Sequence, residues 1–214
     1  MTTEAKKGTT TVGVVCKDCV VIAADKRVSM GYLISNKDFE KVFKISDQIA
    51  LTIAGTAADG QMLAKLLKAE IDLYRLNTGL EPTLNIAASL MQNILFSQGK
   101  TFIPYLVQLI LGGIDEQGDF ALYTLDPLGS SIKETKYFAT GSGSPMAFGV
   151  FEDSYKENLT EEEGVALAIR ALTAALKRDM ATGEGIDVVV ISKKGFKRLE
   201  KIPVETIVKY KSKV

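Results

Sequence analysis

Residues 8–25 read GTTTVGVVCKDCVVIAAD, which joins a threonine-rich segment to a long apolar run through a short turn. The segment over residues 9–15 is rich in β-forming residues, and residues 19–24 are continuously apolar. A run of that kind predicts a strand buried on both faces. Because only Lys17 and Asp18 separate the two flanking cysteines, we expect the two strands to form a tight hairpin.

Outward from this hairpin, the spacing of apolar residues assigns strands and helices in separate blocks. Pro145 is well placed to open a helix, and Thr160 with Glu163 forms a capping box before another, which is expected to end near residues 182–183. The predicted order is strands at 32–35, 42–45 and 49–54, helices at 57–77 and 83–97, strands at 105–114, 120–125 and 132–140, two helices, and a strand at 186–192.

Strands and helices are therefore grouped rather than alternating, which disfavours a parallel doubly wound sheet. We predict an α+β fold, a four-layer αββα sandwich in which two antiparallel sheets lie face to face and a helix pair covers each outer side. The chain of 214 residues has no internal repeat and no linker long enough to separate domains, so one domain over residues 9–214 is expected.

Composition argues against several classes of function. The chain has 26 Lys and Arg residues and 26 Asp and Glu residues, so its formal net charge is zero. It therefore lacks the excess of positive charge that is typical of proteins that bind nucleic acid. No segment holds about 20 mostly apolar residues in a row, and residues 1–8 lack the apolar core of a secretory signal. We expect no nucleic-acid partner, no membrane span and a cytoplasmic location.

The two cysteines, Cys16 and Cys19, form a CxxC motif. A zinc site usually has four ligands, and this chain has two cysteines and no histidine, so we expect no metal site. A thioredoxin-like motif is followed by a helix, whereas the residues after Cys19 predict a strand. A turn flanked by two thiols is favoured, and a thiol-active protein remains an alternative.

The absence of histidine excludes the Ser-His-Asp triad, the Cys-His pair and histidine-ligated metal centres. A nucleophilic enzyme would then need a lysine, a carboxylate or a free α-amine as its base. Threonine activated by an N-terminal amine is a known solution, and cleavage between Gly8 and Thr9 would create that pair. An α-amine has a pKa of about 7.7–8.0, so roughly a tenth of it is neutral near pH 7 and can accept a proton. Gly8 favours this cleavage because, without a Cβ, it lets the Thr9 hydroxyl approach the Gly8 carbonyl and tolerates strained dihedral angles. The same residues also fit an ordinary threonine-rich edge strand.

Four segments in order, GTTTVG, VIAADKR, FEKVFKI and ALTIAGTAADG, resemble the β-subunits of the proteasome core particle, of the archaeal type. The resemblance covers essentially the whole chain, from Gly8 through RDMATGEGIDVVVI. It implies the fold of the N-terminal nucleophile hydrolases, which is the sandwich described above. It also implies that residues 1–8 are a pro-segment, removed autocatalytically by cleavage between Gly8 and Thr9.

The resemblance further implies a set of catalytic roles. Thr9 would be the nucleophile, and its freed amine would be the base. Lys41 would lie beside the Thr9 hydroxyl, and Asp25 would pair with Lys41 and hold it charged and oriented. Gly55 would donate its backbone N–H to the oxyanion, which agrees with its place between a buried strand and the start of a helix.

Two further residues, Ser142 and Asp179, match positions that hydrogen-bond around the amine of the nucleophile. The family pattern RDxAS departs here, because Thr182 replaces the serine; a hydroxyl is retained, so we expect its hydrogen bond to persist. Three apolar residues would shape the substrate pocket and favour cleavage after hydrophobic residues: Val28, Ile53 and Ala57.

The implied reaction is peptide-bond hydrolysis through an ester on Thr9, without metal or cofactor. The implied partners are proteasome α-subunits and other β-subunits in stacked seven-membered rings. An ATP-dependent unfoldase acting on the α-ring would deliver unfolded protein substrates.

Two other functions on the same scaffold remain open from the sequence. A mixed β-ring could contain this chain as a structural, poorly processed β-type subunit. A small-molecule amidase with an N-terminal nucleophile would instead be a monomer or dimer with a pocket.

Overall fold

The computed structural model of the chain describes residues 8–199. Strands and helices within that range come in the grouped order expected from the sequence. They are β1 (Thr10–Val15), β2 (Cys19–Asp25), β3 (Val28–Met30), β4 (Leu33–Asn36), β5 (Val42–Lys44), β6 (Ile49–Gly55), α1 (Ala57–Thr78), α2 (Leu84–Gly99), β7 (Val107–Ile114), β8 (Phe120–Leu125), β9 (Ser131–Glu134), β10 (Tyr137–Gly141), α3 (Ser144–Ser154), α4 (Glu161–Leu176), β11 (Ile186–Ser192) and β12 (Gly195–Arg198).

The strands form two five-stranded sheets and one small hairpin. The first sheet has the order β10-β1-β2-β11-β12, the second has the order β5-β6-β7-β8-β9, and β3 pairs with β4. Neighbouring strands are antiparallel in each sheet. Strand β1 is paired on both sides, so that Thr11 lies opposite Thr140 of β10 and Ala24 of β2.

Three apolar layers hold the sandwich together. Helices α3 and α4 cover the first sheet, α1 and α2 cover the second, and the inner faces of the two sheets meet each other. Representative residues of these layers are, in the same order, Phe151 and Val188, Leu67 and Leu109, and Ile22 and Ile110. The predicted four-layer αββα architecture is therefore confirmed.

A buried group of hydroxyls also joins the two sheets. Thr11 Oγ1 lies 2.7 Å from Thr140 Oγ1, and Thr52 Oγ1 in β6 donates to Thr11 Oγ1 at 3.1 Å. Buried hydroxyls require such partners, because a buried polar group without a hydrogen bond is costly. Thr11, the third threonine of the opening motif, therefore has hydrogen-bond partners that hold the two sheets together.

The local predictions hold for the hairpin and for both helix starts. Lys17 and Asp18 form the exposed turn between β1 and β2, Pro145 lies in the first turn of α3, and α4 begins with the predicted capping box. Helix α1 ends as Gly79 adopts φ of 68°, a left-handed conformation that glycine tolerates.

Two element predictions are wrong. The strand expected over residues 132–140 is two strands in different sheets, because the chain bends at residues 135–136 and crosses from the second sheet to the first. Helix α4 ends at Leu176 rather than near residues 182–183. Residues beyond Leu176 contact the strand ends of the first sheet instead, so tertiary contacts override helical periodicity. Strands β3 and β12 were not predicted.

None of the helices in residues 8–199 combines the length and apolar character that a bilayer crossing needs. The proposed pro-segment falls on residues 1–8, of which residues 1–7 lie outside the described part of the chain. Its removal therefore stays a prediction.

Candidate active site

The site is built around Thr9, the residue immediately before β1. Because β1 is held between β10 and β2, the position of its first residues is fixed on both sides. Thr9 is buried, with 5% of its surface exposed. The Lys41 ammonium donates to Thr9 Oγ1, with 2.8 Å between Nζ and Oγ1.

Lys41 is itself held by a buried carboxylate. Its Nζ lies 2.8 Å from Asp25 Oδ1, and the two side chains are 4% and 0% exposed. Asp25 is the last residue of β2, and the Lys41 carbonyl accepts a hydrogen bond from the Ile53 N–H at 3.1 Å. Strand ends from both sheets thus meet at the Thr9 hydroxyl.

Asp25 accepts three further hydrogen bonds from backbone donors. The N–H of Thr10 donates to Oδ1 at 3.0 Å, and those of Arg27 and Gly183 donate to Oδ2, also at 3.0 Å. Together with Lys41, these donors saturate both carboxylate oxygens, so the side chain is fixed in place.

Burial perturbs both members of the ion pair. It raises the pKa of the Asp25 carboxyl, while the charge and hydrogen bond of Lys41 and the backbone donors act in the opposite direction. Burial also lowers the pKa of the Lys41 ammonium, which Asp25 partly offsets. A buried lysine that lies beside a hydroxyl and whose pKa is lowered is an environment typical of functional sites.

A second carboxylate lies on the nitrogen side of Thr9. The Thr9 N–H donates to Ser142 Oγ at 3.2 Å, and Ser142 Oγ donates to Asp179 Oδ2 at 2.6 Å. Thr182 Oγ1 donates to the same Asp179 oxygen at 2.5 Å and lies 2.7 Å from Thr10 Oγ1. All three residues predicted around the amine therefore belong to one network, and Thr182 reaches Thr9 through the other two.

The loop after α4 carries Asp179 and Thr182, and Arg27 holds it against the end of β2. The Arg27 guanidinium donates to the Met180 carbonyl at 2.8 Å and to Glu184 Oε1 at 2.8 Å. Glu184 has a φ of 68°, a left-handed conformation that is uncommon outside glycine and often marks functional sites.

Gly55 is the last residue of β6 and lies in the same cavity as Thr9. Its neighbour Thr56 donates its N–H to Leu106 of the adjoining segment at 2.9 Å. Successive N–H groups of a strand point to opposite sides, so the Gly55 N–H points away from Leu106. It points to the same side as the Ile53 N–H, which donates to the Lys41 carbonyl. A Cβ at Gly55 would lie 2.2 Å from the Leu106 carbonyl, and φ is +124°, so glycine is required there.

A cavity of about 230 Å³ opens beside Thr9. The three predicted pocket residues, Val28, Ile53 and Ala57, all line it. The sequence reasoning missed Met30 and Phe39, which line it as well. Neither residue has a local signal, because Met30 ends a strand of three residues and Phe39 lies in the segment before β5, which belongs to no strand.

The CxxC cysteines take no part in this site. Cys16 and Cys19 are free thiols with 5% and 2% exposure, and they flank the hairpin turn as expected. Cys16 Sγ lies close to Gly164 of α4, where a Cβ would approach it to 2.2 Å. The favoured structural interpretation of the motif agrees with this burial. Among residues 8–199, no cluster of three or more His, Cys, Asp or Glu side chains could hold a metal ion.

Comparison with known proteins shows the family to which the chain belongs. A family model described as proteasome subunit matches residues 5–191. A proteasome subunit beta of Ferroglobus placidus is 49% identical over 201 residues, which are 94% of each chain. The proteasome subunit beta of Methanosarcina mazei is 50% identical over 194 residues, or 91% of each chain. The proteasome subunit beta of Methanocaldococcus fervens is 46% identical over 204 residues, or 95% of this chain and 90% of that one. This chain therefore belongs to the proteasome subunit family, and it is a β-type subunit of the proteasome core, a threonine peptidase.

Proposed function

We propose that this chain hydrolyses peptide bonds of unfolded proteins with Thr9 as its nucleophile, after its residues 1–8 have been removed. The observation that carries this proposal is the 2.8 Å contact between Lys41 Nζ and Thr9 Oγ1, with Asp25 at 2.8 Å on the other side of that nitrogen. A buried cation beside a hydroxyl stabilises the alkoxide-like state that attack requires.

Removal of the pro-segment needs a base other than the Thr9 nitrogen, because that nitrogen is still part of an amide and its lone pair is delocalised. Lys41, whose pKa burial lowers, accepts the hydroxyl proton when it is neutral. Thr9 Oγ1 then attacks the carbonyl carbon of Gly8, the bond to the Thr9 nitrogen breaks, and that nitrogen takes up the proton. Water hydrolyses the resulting ester and leaves a free α-amine on Thr9.

In the mature subunit the free amine becomes the base. Its reference pKa of about 7.7–8.0 lies well below that of lysine, about 10.4, so its neutral form is available near pH 7. The amine accepts the proton of Thr9 Oγ1 as the hydroxyl attacks the substrate carbonyl, and the Gly55 N–H stabilises the oxyanion. The amine then protonates the leaving nitrogen, and water resolves the ester on Thr9.

The cavity beside Thr9 supports an apolar preference on the acyl side of the cleaved bond. Its walls include Val28, Met30, Phe39 and Ile53, which offer no charge to a bound side chain. Lys41 also lines the cavity, but its ammonium is occupied by Thr9 and Asp25. A substrate side chain that is hydrophobic gains from burial against this lining, whereas a charged one loses its hydration.

As a β-type proteasome subunit, the chain assembles into the rings of the proteasome core. The finer arrangement is part of the proposal: two stacked seven-membered β-rings between two rings of α-subunits. We also propose a cytoplasmic location and substrates that are delivered unfolded by an ATP-dependent unfoldase acting on the α-ring. The ion-paired, buried Lys41 argues against a purely structural subunit, because a buried charge pair is costly to keep without a role.

The test combines intact-mass measurement of the assembled particle with hydrolysis of a peptide in which a hydrophobic residue precedes the bond to be cleaved. We expect the unmodified chain to lose residues 1–8 and to cleave the peptide. Thr9→Ala should retain those residues and lose hydrolysis, although the particle still assembles. Thr9→Ser keeps a hydroxyl and should retain both reactions. A Thr9→Ala particle that is processed and active would overturn the proposal.

A further inference from the structure

The second threonine of the motif, Thr10, contacts both carboxylate systems of the site. Its N–H donates to Asp25 Oδ1 at 3.0 Å, on the side that holds the Thr9 hydroxyl. Its Oγ1 lies 2.7 Å from Thr182 Oγ1, on the side that holds the Thr9 nitrogen. Thr10 and Thr182 are 0% and 1% exposed, so water does not compete for these bonds.

The direction of the hydroxyl bond follows from the acceptor at its far end. An ionised carboxylate only accepts hydrogen bonds, so Thr182 Oγ1, at 2.5 Å, must donate its single hydrogen to Asp179. Thr182 can then only accept from Thr10, which makes Thr10 Oγ1 the donor. Ser142 donates to the same Asp179 oxygen at 2.6 Å and therefore faces the Thr9 nitrogen as an acceptor.

We infer that Thr10 is a positioning residue that fixes the distance between the two halves of the catalytic site. It ties the Asp25–Lys41 pair, which orients the Thr9 hydroxyl, to the Asp179–Ser142 pair, which orients the Thr9 nitrogen. This inference rests on the proposed role of Thr9. The site leaves the Thr10 hydroxyl little freedom, because a Cβ on Gly143 would lie 2.1 Å from Thr10 Oγ1.

Loss of this hydroxyl would leave Thr182 without its donor inside a buried network. When a buried hydrogen-bond network loses one member, it loses more stability than that of a single bond, because the remaining members reorient. Reorientation of Asp179 and Ser142 displaces the base relative to the hydroxyl that it deprotonates. Small displacements of reacting groups lower rate constants strongly, whereas they leave a substrate pocket on the other side of Thr9 unchanged.

The test compares Thr10→Val with Thr10→Ser and with a matched control on the same strand. We expect Thr10→Val to lower kcat per assembled particle about tenfold, with KM within about twofold, and Thr10→Ser to restore kcat. Thr11→Val is the control, because it removes a buried hydroxyl one residue away whose partners, Thr52 and Thr140, join the sheets instead. It should lower thermal stability but leave kcat unchanged.

A second comparison approaches the same bond from its acceptor. Thr182→Val should lower kcat and Thr182→Ser should not, which also tests the inference if Thr10→Val fails to assemble. The double variant Thr10→Val with Thr182→Val should lose no more than Thr182→Val alone, since residues of one network are not additive. Equal kcat values for Thr10→Val and Thr11→Val, or a double-variant loss equal to the product of the single losses, would overturn this inference. An inactive Thr9→Ala beside such a result would leave the proposed function intact.

Discussion

Replacing Gly8 with alanine separates removal of the pro-segment from peptide hydrolysis, because residue 8 is absent from the proposed mature subunit. A Cβ at this position would lie 2.0 Å from the Ala181 Cβ and 2.5 Å from Ser142 Oγ. Both neighbours belong to the nitrogen side of the site: Ala181 lies between Asp179 and Thr182 on the loop after α4.

The size of the effect follows from these distances. Ordinary contact of a Cβ begins at 3.4 Å, so the approach of 2.0 Å to Ala181 is too short by 1.4 Å. Either the scissile carbonyl or the loop must therefore move by a distance of about 1 Å. A displacement of about 1 Å at a reacting group lowers the rate roughly 100-fold. That factor corresponds to about 2.7 kcal/mol in the activation free energy of pro-segment removal.

The assay follows the intact mass of assembled particles over time. We expect Gly8→Ala to slow removal of residues 1–8 about 100-fold. Each processed subunit should hydrolyse peptide at the unmodified rate, since alanine has left with the pro-segment. Combining Gly8→Ala with Ala181→Gly removes the nearest atom and should restore part of the processing rate, and Ala181→Gly alone serves as the control.

Processing of Gly8→Ala at the unmodified rate would contradict this prediction, because the packing of residue 8 would then not hold the scissile bond. Slow hydrolysis by subunits that have already been processed would refute it too, since the effect would then not be confined to the uncleaved chain.

The remaining predictions concern the ion pair and the thiols. Lys41→Ala removes the cation 2.8 Å from Thr9 Oγ1 and should abolish both processing and peptide hydrolysis, while gel filtration still detects the full particle. Substantial hydrolysis by this variant would contradict the proposed role of Lys41. Asp25→Asn should lower both rates less than Lys41→Ala does, because Asn keeps an oxygen for Lys41 but places an amide N–H₂ among the donors; an equal or larger loss would show that the negative charge itself dominates. Cys16→Ser with Cys19→Ser should leave peptide hydrolysis unchanged because both thiols lie in the layer under α4, and a large loss of hydrolysis in particles that assemble normally would support the thiol alternative.

The sequence was sufficient for the parts of the fold that local signals encode. The hairpin of β1 and β2 follows from an uninterrupted apolar run and a two-residue turn, and the start of α4 follows from its capping box. The end of α4 was missed because the periodicity continues weakly past Leu176, whereas the actual boundary depends on hydrogen bonds to distant residues such as Asp25. Such contacts leave no local pattern.

For the site, resemblance supplied the residues but not their connections. The pairing of Lys41 with Asp25 was expected, whereas the bond between Thr10 and Thr182 spans 172 positions of the chain and has no signal at either end. Phe39 and Met30 were missed for a related reason: the walls of the cavity come from β3 and from the segment before β5, and single apolar residues in short segments resemble ordinary core.

The double pairing of β1 bears on what happens when the chain is cut. Its ladder begins at Thr10, which lies opposite Gly141, so the bond between residues 8 and 9 falls just outside the hydrogen-bonded register. Breaking that bond removes no interstrand hydrogen bond, and the new chain end stays clamped by both neighbours. We therefore expect activation of this subunit to be a covalent event that needs no refolding, because the Thr9 hydroxyl is already in place when the terminus is released.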